Sequence, residues 1–190
     1  MAEGNAEQVV VRGKTVIWIA RYSQILTFLL AQAISVVACV SLFLMLTGDR
    51  QLEEMEVSET VVMVGCGFLS LVISVIYMLV IVRVKFLKAL QLYQDSDDSP
   101  ALPIRIDQPL SQPLETLLRA FTSATHRSQA FFFTSATINL ILVYFDESWL
   151  HLFLAFMAVF SVVWLTPTVG RLARFIQRGL DMKQGKQVSL

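Results

Sequence analysis

The sequence predicts an all-α polytopic membrane protein with four transmembrane helices and amphipathic helical extensions on the cytoplasmic side. Three observations lead there. Hydrophobic residues form 55% of the 190-residue chain and mean hydropathy is +0.63. Charged residues are 16% of it, against about 25% in an ordinary soluble domain. Finally, of the 15 Lys and Arg residues, all but Arg50 fall on one side of four long apolar segments. Asp49, Glu53, Glu54, Glu56 and Glu59 surround Arg50, and Asp146 and Glu147 occupy the other loop on that side. Lys and Arg are retained on the cytoplasmic face during insertion. The split therefore predicts that both termini and the segment 83–127 share the cytoplasm-equivalent side of a single domain spanning residues 1–190.

Residues 1–14 begin polar and then carry Val9-Val10-Val11 and Arg12-Gly13-Lys14, a piece that could pair as a short strand or lie on the membrane surface. Trp18, Arg21 and Tyr22 follow as an interfacial cluster of rings at headgroup depth beside a charge that can snorkel. The first span is read as 22–46, roughly 37 Å at the helical rise, and tilt absorbs the excess over a ~30 Å hydrocarbon core. This apolar run is too long for the core of a cleavable signal. A short acidic loop leads to the second span, 60–82. Val82, Phe86, Leu90 and Tyr93 then recur every three to four residues, while Arg83, Lys85, Lys88 and Gln91 fill other faces. That pattern extends the helix out of the membrane as an amphipathic rod.

Residues 95–112 are read as a connector, because Asp95-Ser96-Asp97-Asp98-Ser99 favours helix poorly and Pro100, Pro103 and Pro109 follow. Pro113 suits the first turn of the next helix, whose apolar face (Leu114, Leu117, Leu118, Phe121) leads into a third span at 129–145. Asp146-Glu147-Ser148 is a tight turn. The fourth span is 149–169, with Pro167 kinking or loosening its cytoplasmic end. Arg171, Arg174 and Arg178 alternate with Leu172, Phe175, Ile176 and Leu180 in a basic amphipathic helix that should fray from Lys183. A half-inserted hairpin for the last two segments would bury Asp146 and Glu147 near the bilayer midplane. That costs roughly 2.5–3.5 kcal/mol per charge even on the lenient insertion scale, so full spans are expected.

No Asp, Glu, Lys, Arg or His falls in the middle of the first three spans, and His151 of the fourth is placed at the outer interface. Proton relays, ion-coupled carriers and voltage sensors use ionisable groups inside the membrane, so their absence weighs against such a machine. Gln32 and Asn139 can hydrogen-bond across helix interfaces, each contributing roughly 0.6–2 kcal/mol. Ala31, Ser35 and Cys39 form one small-residue stripe; Ser70 and Ser74, with Gly65 and Gly67, form another. Such stripes permit close helix approach, so Gln32, Ser35, Gly65, Gly67 and Asn139 are candidate helix–helix or partner contacts.

Cys39 and Cys66 read as small packing residues, and no Cys/His spacing suggests a metal. Asp95-x-Asp97-Asp98 lacks the spaced ligands and glycine of a calcium loop and reads as a solvated connector. His126 reads as an interfacial histidine, having no Ser, Cys or carboxylate arranged to make it a general base. Arg83, Lys85, Lys88, Arg171, Arg174 and Arg178 ring the cytoplasmic mouth as candidate lipid-headgroup or acidic-partner contacts, each worth on the order of 1 kcal/mol near an anionic leaflet. Orientation alone would also account for them.

No catalytic residues, cofactor or nucleic-acid partner are expected. The expectation is a non-catalytic accessory, assembly or scaffolding subunit of a larger membrane complex, its partners being membrane lipids and other membrane-protein subunits or further copies of itself. A small oligomeric channel or transporter is the alternative.

Overall fold

The computed structural model describes residues 14–47, 57–98 and 104–185. Arg12, Asp49, Arg50, Glu53, Glu54, Glu56, Pro100 and Pro103, with the valines of 9–11, lie outside them. The described residues form α1 (Val16–Thr47), α2 (Val57–Ile76), a π-helical stretch (Tyr77–Val82), α3 (Arg83–Gln94), α4 (Gln112–Asp146), α5 (Trp149–Trp164) and α6 (Val169–Lys183). Three helical rods are long and apolar enough to cross a membrane: Val16–Thr47, Val57–Gln94 and Gln112–Asp146. A fourth is counted if α5 and α6, bent by 61°, are taken as one broken span.

Each helix starts or stops for a local reason. The Thr15 hydroxyl accepts from the Trp18 amide at 3.1 Å and caps α1. Trp18 stacks on Tyr22 at 5.6 Å, with Lys14 Nζ 4.3 Å above the Trp18 ring, so the expected aromatic cluster forms on the surface of α1. The second rod is continuous from α2 through α3, as its periodicity predicts, but a π-helical turn interrupts it where Tyr77 stacks on Phe131 at 4.0 Å. The helix expected to lead from Pro113 into the third span does so without a break. α4 runs unbroken for 35 residues from Gln112, with Pro113 in its first turn.

The fourth span, expected over 149–169, ends as helix at Trp164. Pro167 has no N–H to donate and its ring collides with the carbonyl four residues back, while Thr166 before it is steered away from helical angles. Of the two outcomes expected there, a kink or a loosened end, the kink results, with α5 and α6 bent by 61°. Thr168 then caps α6 by accepting from the Arg171 amide at 3.3 Å.

Helix α4 is the axis of the molecule and packs on every other helix. Its hairpin with α5 is the most extensive contact, closed by Glu147 in the left-handed conformation (φ 53°). α1 and α2 lie against that hairpin and, among the described residues, do not touch each other.

Two apolar cores result. One packs α4 on α5, with Ile34 of α1 against Phe132, Ala136, Leu140, Ala155, Ala158 and Val162. The other gathers the amphipathic pieces. Val16 and Ile19 of α1, Leu90 and Tyr93 of α3, Leu114 and Leu118 of α4 and Leu172, Phe175 and Ile176 of α6 bury one another. The rings of Phe86, Phe121 and Phe175 meet there at centroid distances of 4.7, 5.4 and 4.6 Å.

The described parts of the connector, 95–98 and 104–112, are tied to the helices. The Leu110 amide donates to the Lys14 carbonyl (3.2 Å) and the Ile17 amide to the Ile106 carbonyl (3.3 Å), tying it to the start of α1. Asp95 and Asp97 are exposed, but Asp98 Oδ2 accepts from the Tyr93 hydroxyl (3.1 Å) and the Ser111 hydroxyl (2.7 Å). Burial, reinforced by that carboxylate, pushes the Tyr93 phenol well above its ordinary range. Lys183, where fraying was expected, donates to the carbonyls of Ser96 and Asp98 and holds the last turn of α6 in place.

Candidate functional site

The inward face of α4 carries polar side chains where an apolar core would ordinarily continue. Ser128, Gln129 and Asn139 are fully buried and Ser135 nearly so. Spacings of seven and four residues place Ser128, Ser135 and Asn139 on one stripe, with Gln129 beside Ser128. The stripe builds two hydrogen-bonded clusters, one toward each end of the bundle.

At the hairpin end the cluster is centred on His151. The side chains of His151 and Asp146 are both wholly inaccessible, and Nε2 of the ring lies 2.9 Å from Asp146 Oδ2. Nδ1 lies 2.9 Å from Asn139 Oδ1. The Asn139 amide nitrogen donates to the Ser135 carbonyl (2.9 Å) and across to the Gly67 carbonyl of α2 (3.2 Å), which fixes its oxygen toward the ring. Both ring nitrogens therefore face oxygen. Asp146 Oδ1 also accepts from the Ser148 amide at 3.0 Å.

Behind Asn139, Ser70 and Ser135 share a hydrogen bond of 2.9 Å, and the Ser74 hydroxyl reaches the Phe131 carbonyl at 3.1 Å. Gly67 permits this approach: a Cβ on it would stand 2.3 Å from Asn139 Oδ1.

At the other end Gln129 is the hub. Its amide nitrogen donates to the Thr27 hydroxyl of α1 and to the Val162 carbonyl of α5, both at 2.9 Å. With both N–H groups used, Gln129 Oε1 accepts from His126 Nδ1 at 2.9 Å, and His126 Nε2 lies 3.2 Å from the Ser23 hydroxyl. A single amide thus ties three helices together. The chemistry of both clusters is hydrogen bonding between helices, and of the buried side chains on the stripe Ser128 alone lacks a partner among the described residues.

The structure distributes the sequence-derived candidates unevenly. Asn139 and Gly67 meet at the α2–α4 crossing. Gly65 is exposed with nothing near it. Gln32 and Ser35 lie on the exposed face of α1, where the Ser35 hydroxyl donates to its own helix at the Ala31 carbonyl (2.9 Å). Cys39 and Cys66 are exposed too, so neither packs inside the bundle.

Arg83, Lys88, Arg174 and Arg178 are exposed; Lys85 sits 5.9 Å from the Tyr77 ring centroid. Arg171 is half-buried, with Nη1 donating to the Trp164 and Thr166 carbonyls at the end of α5. None of these six cations has an ion-pair partner among the described residues. In the same residues no group of three or more His, Cys, Asp or Glu side chains is placed to hold a metal ion.

Sequence reasoning missed His151, Asp146, Gln129, His126, Ser23 and Thr27 as a set. It gave His151 a depth, at the outer interface, but no partners, and the fold buries the ring completely against the other helices. The available signal was the five-residue spacing of Asp146 and His151 across a tight turn, which brings two helix ends together. Comparison with protein families, curated proteins and solved structures finds no match to this chain.

Proposed function

We propose that this chain is a non-catalytic integral membrane protein, an accessory or scaffolding subunit that associates through its membrane-facing helices with other subunits or further copies of itself. Four spans, with both termini and the 83–127 segment on the cytoplasm-equivalent side, complete the proposal. α5 is antiparallel to α4 and tightly joined to it, so a crossing by one implies a return by the other, and the distribution of Lys and Arg supplies the sidedness.

One observation carries the reading. In their most apolar windows only 11% of the residues of the first and second rods are buried, and on α1 the exposed face includes Gln32. Its amide lies roughly 15 Å along the helix from Tyr22, well inside a ~30 Å hydrocarbon core, with no hydrogen-bond partner among the described residues. An amide facing lipid forgoes its hydrogen bonds, whereas a neighbouring helix supplies them, at roughly 0.6–2 kcal/mol per bond.

The test is cross-linking from Gln32→Cys in a Cys39→Ser, Cys66→Ser background, with mass analysis of mild-detergent extracts. A cross-linked second subunit supports association through α1. A monodisperse monomer that recovers no partner removes the proposal.

A small oligomeric channel or transporter is the second reading. A groove of about 320 Å³ between α2 and α4 is lined by Ser70, Ser74, Thr134 and Ser135, a polar strip in an otherwise apolar surface. Flux into liposomes decides it, and rates no higher than those of empty vesicles across several ions and solutes dismiss it.

A further inference from the structure

A cleft of about 560 Å³ opens between the π-helical stretch, α4 and the α5–α6 break. Its wall on the span side is apolar, with Val82 and Leu165 among its residues. Its rim carries Arg83, the first charge after the second apolar run, and Arg171. Arg171 is already held in place. Nη1 donates to the Trp164 and Thr166 carbonyls, and the guanidinium lies 5.8 Å from the Trp164 ring centroid. Two of its five N–H donors are thereby used, leaving a fixed planar cation with donors to spare, the form suited to phosphate.

Ser128 also lines this cleft and supplies the independent observation. It is fully buried, and its hydroxyl is the one buried side-chain polar atom without a hydrogen-bond partner among the described residues. Other hydroxyls on α4, those of Thr122, Thr125 and Thr134, bond the carbonyl four residues back. Ser128 does not. An orphan hydroxyl is unfavourable unless something outside the chain completes it. The wall itself includes the π-helical turn, a distortion found frequently at functional sites.

We propose that this cleft binds an anionic phospholipid of the surrounding bilayer. The phosphate sits between Arg83 and Arg171, the Ser128 side chain, inaccessible in the free chain, turns into the cleft to pair with an ester or glycerol oxygen, and an acyl chain runs along Val82 and Leu165. Two cations at the rim select negative charge, and the apolar wall toward the span selects an acyl tail over a free anion. A groove of about 520 Å³ between α3 and α4 also holds Lys85, Lys88 and Arg127. Its apolar residues Leu92 and Leu117 lie beyond those cations, away from the spans, which is the wrong polarity for a bilayer lipid.

The experiment uses the full chain in non-ionic detergent, titrated with phosphatidylglycerol, phosphatidylcholine or inorganic phosphate and read by native mass spectrometry and thermal melting. One phosphatidylglycerol should bind at least about tenfold more tightly than phosphatidylcholine, and inorganic phosphate should not protect. Arg83→Gln should weaken phosphatidylglycerol by about fivefold, the effect of one interfacial cation, while Arg105→Gln, the same charge change away from the cleft, leaves it unaltered. Ser128→Ala should lose lipid-dependent stabilisation while melting no lower than wild type without lipid.

Equal affinity for the two lipids, or equal effects of Arg83→Gln and Arg105→Gln, would overturn the proposal. Protection by inorganic phosphate alone would assign the cleft to a free anion instead. A Ser128→Ala protein already destabilised without lipid would show that the hydroxyl serves the fold.

Discussion

Replacing Gly67 by alanine loads the hairpin-end cluster at its tightest point. The added Cβ falls 2.3 Å from Asn139 Oδ1, 2.8 Å from His151 Nδ1 and 2.9 Å from His151 Cε1, where ordinary contact begins at 3.4 Å. The Asn139 amide would have to retreat by about 1 Å, the difference between 3.4 and 2.3 Å. It cannot swing aside freely, because its nitrogen is engaged by the Gly67 and Ser135 carbonyls and its oxygen by His151. Overpacking of this kind costs about 1–3 kcal/mol. Separating Asn139 from the ring leaves buried polar atoms unpaired, for a further penalty of about 1–3 kcal/mol. The expected loss is therefore roughly 2–6 kcal/mol.

Gly65 is the internal control. It lies two residues away, is exposed and has nothing within 4 Å of an added Cβ. Gly65→Ala should stabilise α2 by up to about 1 kcal/mol through helix propensity alone. The assay is reversible unfolding of each variant in mixed micelles with increasing dodecyl sulfate, followed by circular dichroism. If the two variants differ by less than about 0.5 kcal/mol, the spread of ordinary surface substitutions, the close crossing of α2 over Asn139 and His151 is wrong.

Other outcomes follow from the same geometry. Asp146→Ala strands His151 Nε2 in a buried site and should destabilise by about 2–5 kcal/mol, while the Asp146→Ala/His151→Leu double variant loses less than the sum of the singles; additivity in the cycle would show the pair uncoupled. Gln129→Leu removes the bonds to Thr27, Val162 and His126 and should loosen α1 from the α4–α5 hairpin, seen as faster amide exchange across 23–30; unchanged exchange would refute the hub role. The raised Tyr93 phenol stabilises the folded chain below the ordinary phenol value of about 10, and that contribution fades as pH rises beyond it. Tyr93→Phe should therefore flatten the decline in stability above pH about 10, and an alkaline slope equal to that of wild type would contradict it. Lys183→Ala should expose 95–98 and the last turn of α6 to proteolysis while sparing the remaining helices.

Much of the architecture was legible because the relevant signals are local. The amphipathic pieces were read correctly as to face. Leu172, Phe175, Ile176 and Leu180 were separated from Arg171, Arg174 and Arg178 by period alone, and all four are buried. The second rod was traced through Arg83 into α3 for the same reason. Pro167 was flagged from its missing N–H, although the size of the bend depends on how α6 docks against α1, α3 and α4.

The candidate site was legible only in fragments. Asn139 and Gly67 were singled out, but not their shared partner His151, nor the Gln129 hub. Within a membrane-length helix the outward face is as apolar as the inward one, so hydropathy carries no signal of which side packs. That is why Gln32 and Asn139 read alike from composition, yet one lies exposed on α1 and the other is fully buried.

Residue order and hydropathy alone fix the helical class, the long apolar rods, the one-sided distribution of Lys and Arg and the inward faces of the amphipathic extensions, since each is a property of neighbouring residues. The pairing of helices required the folded chain. Asn139 meets a carbonyl 72 residues away and Gln129 a hydroxyl 102 residues away, and no local period encodes such contacts. Close packing of α4 against four separate stretches brought Asp146, His151 and Asn139 into line, placed Arg83 and Arg171 on one cleft, and left the buried Ser128 hydroxyl without a partner among the described residues.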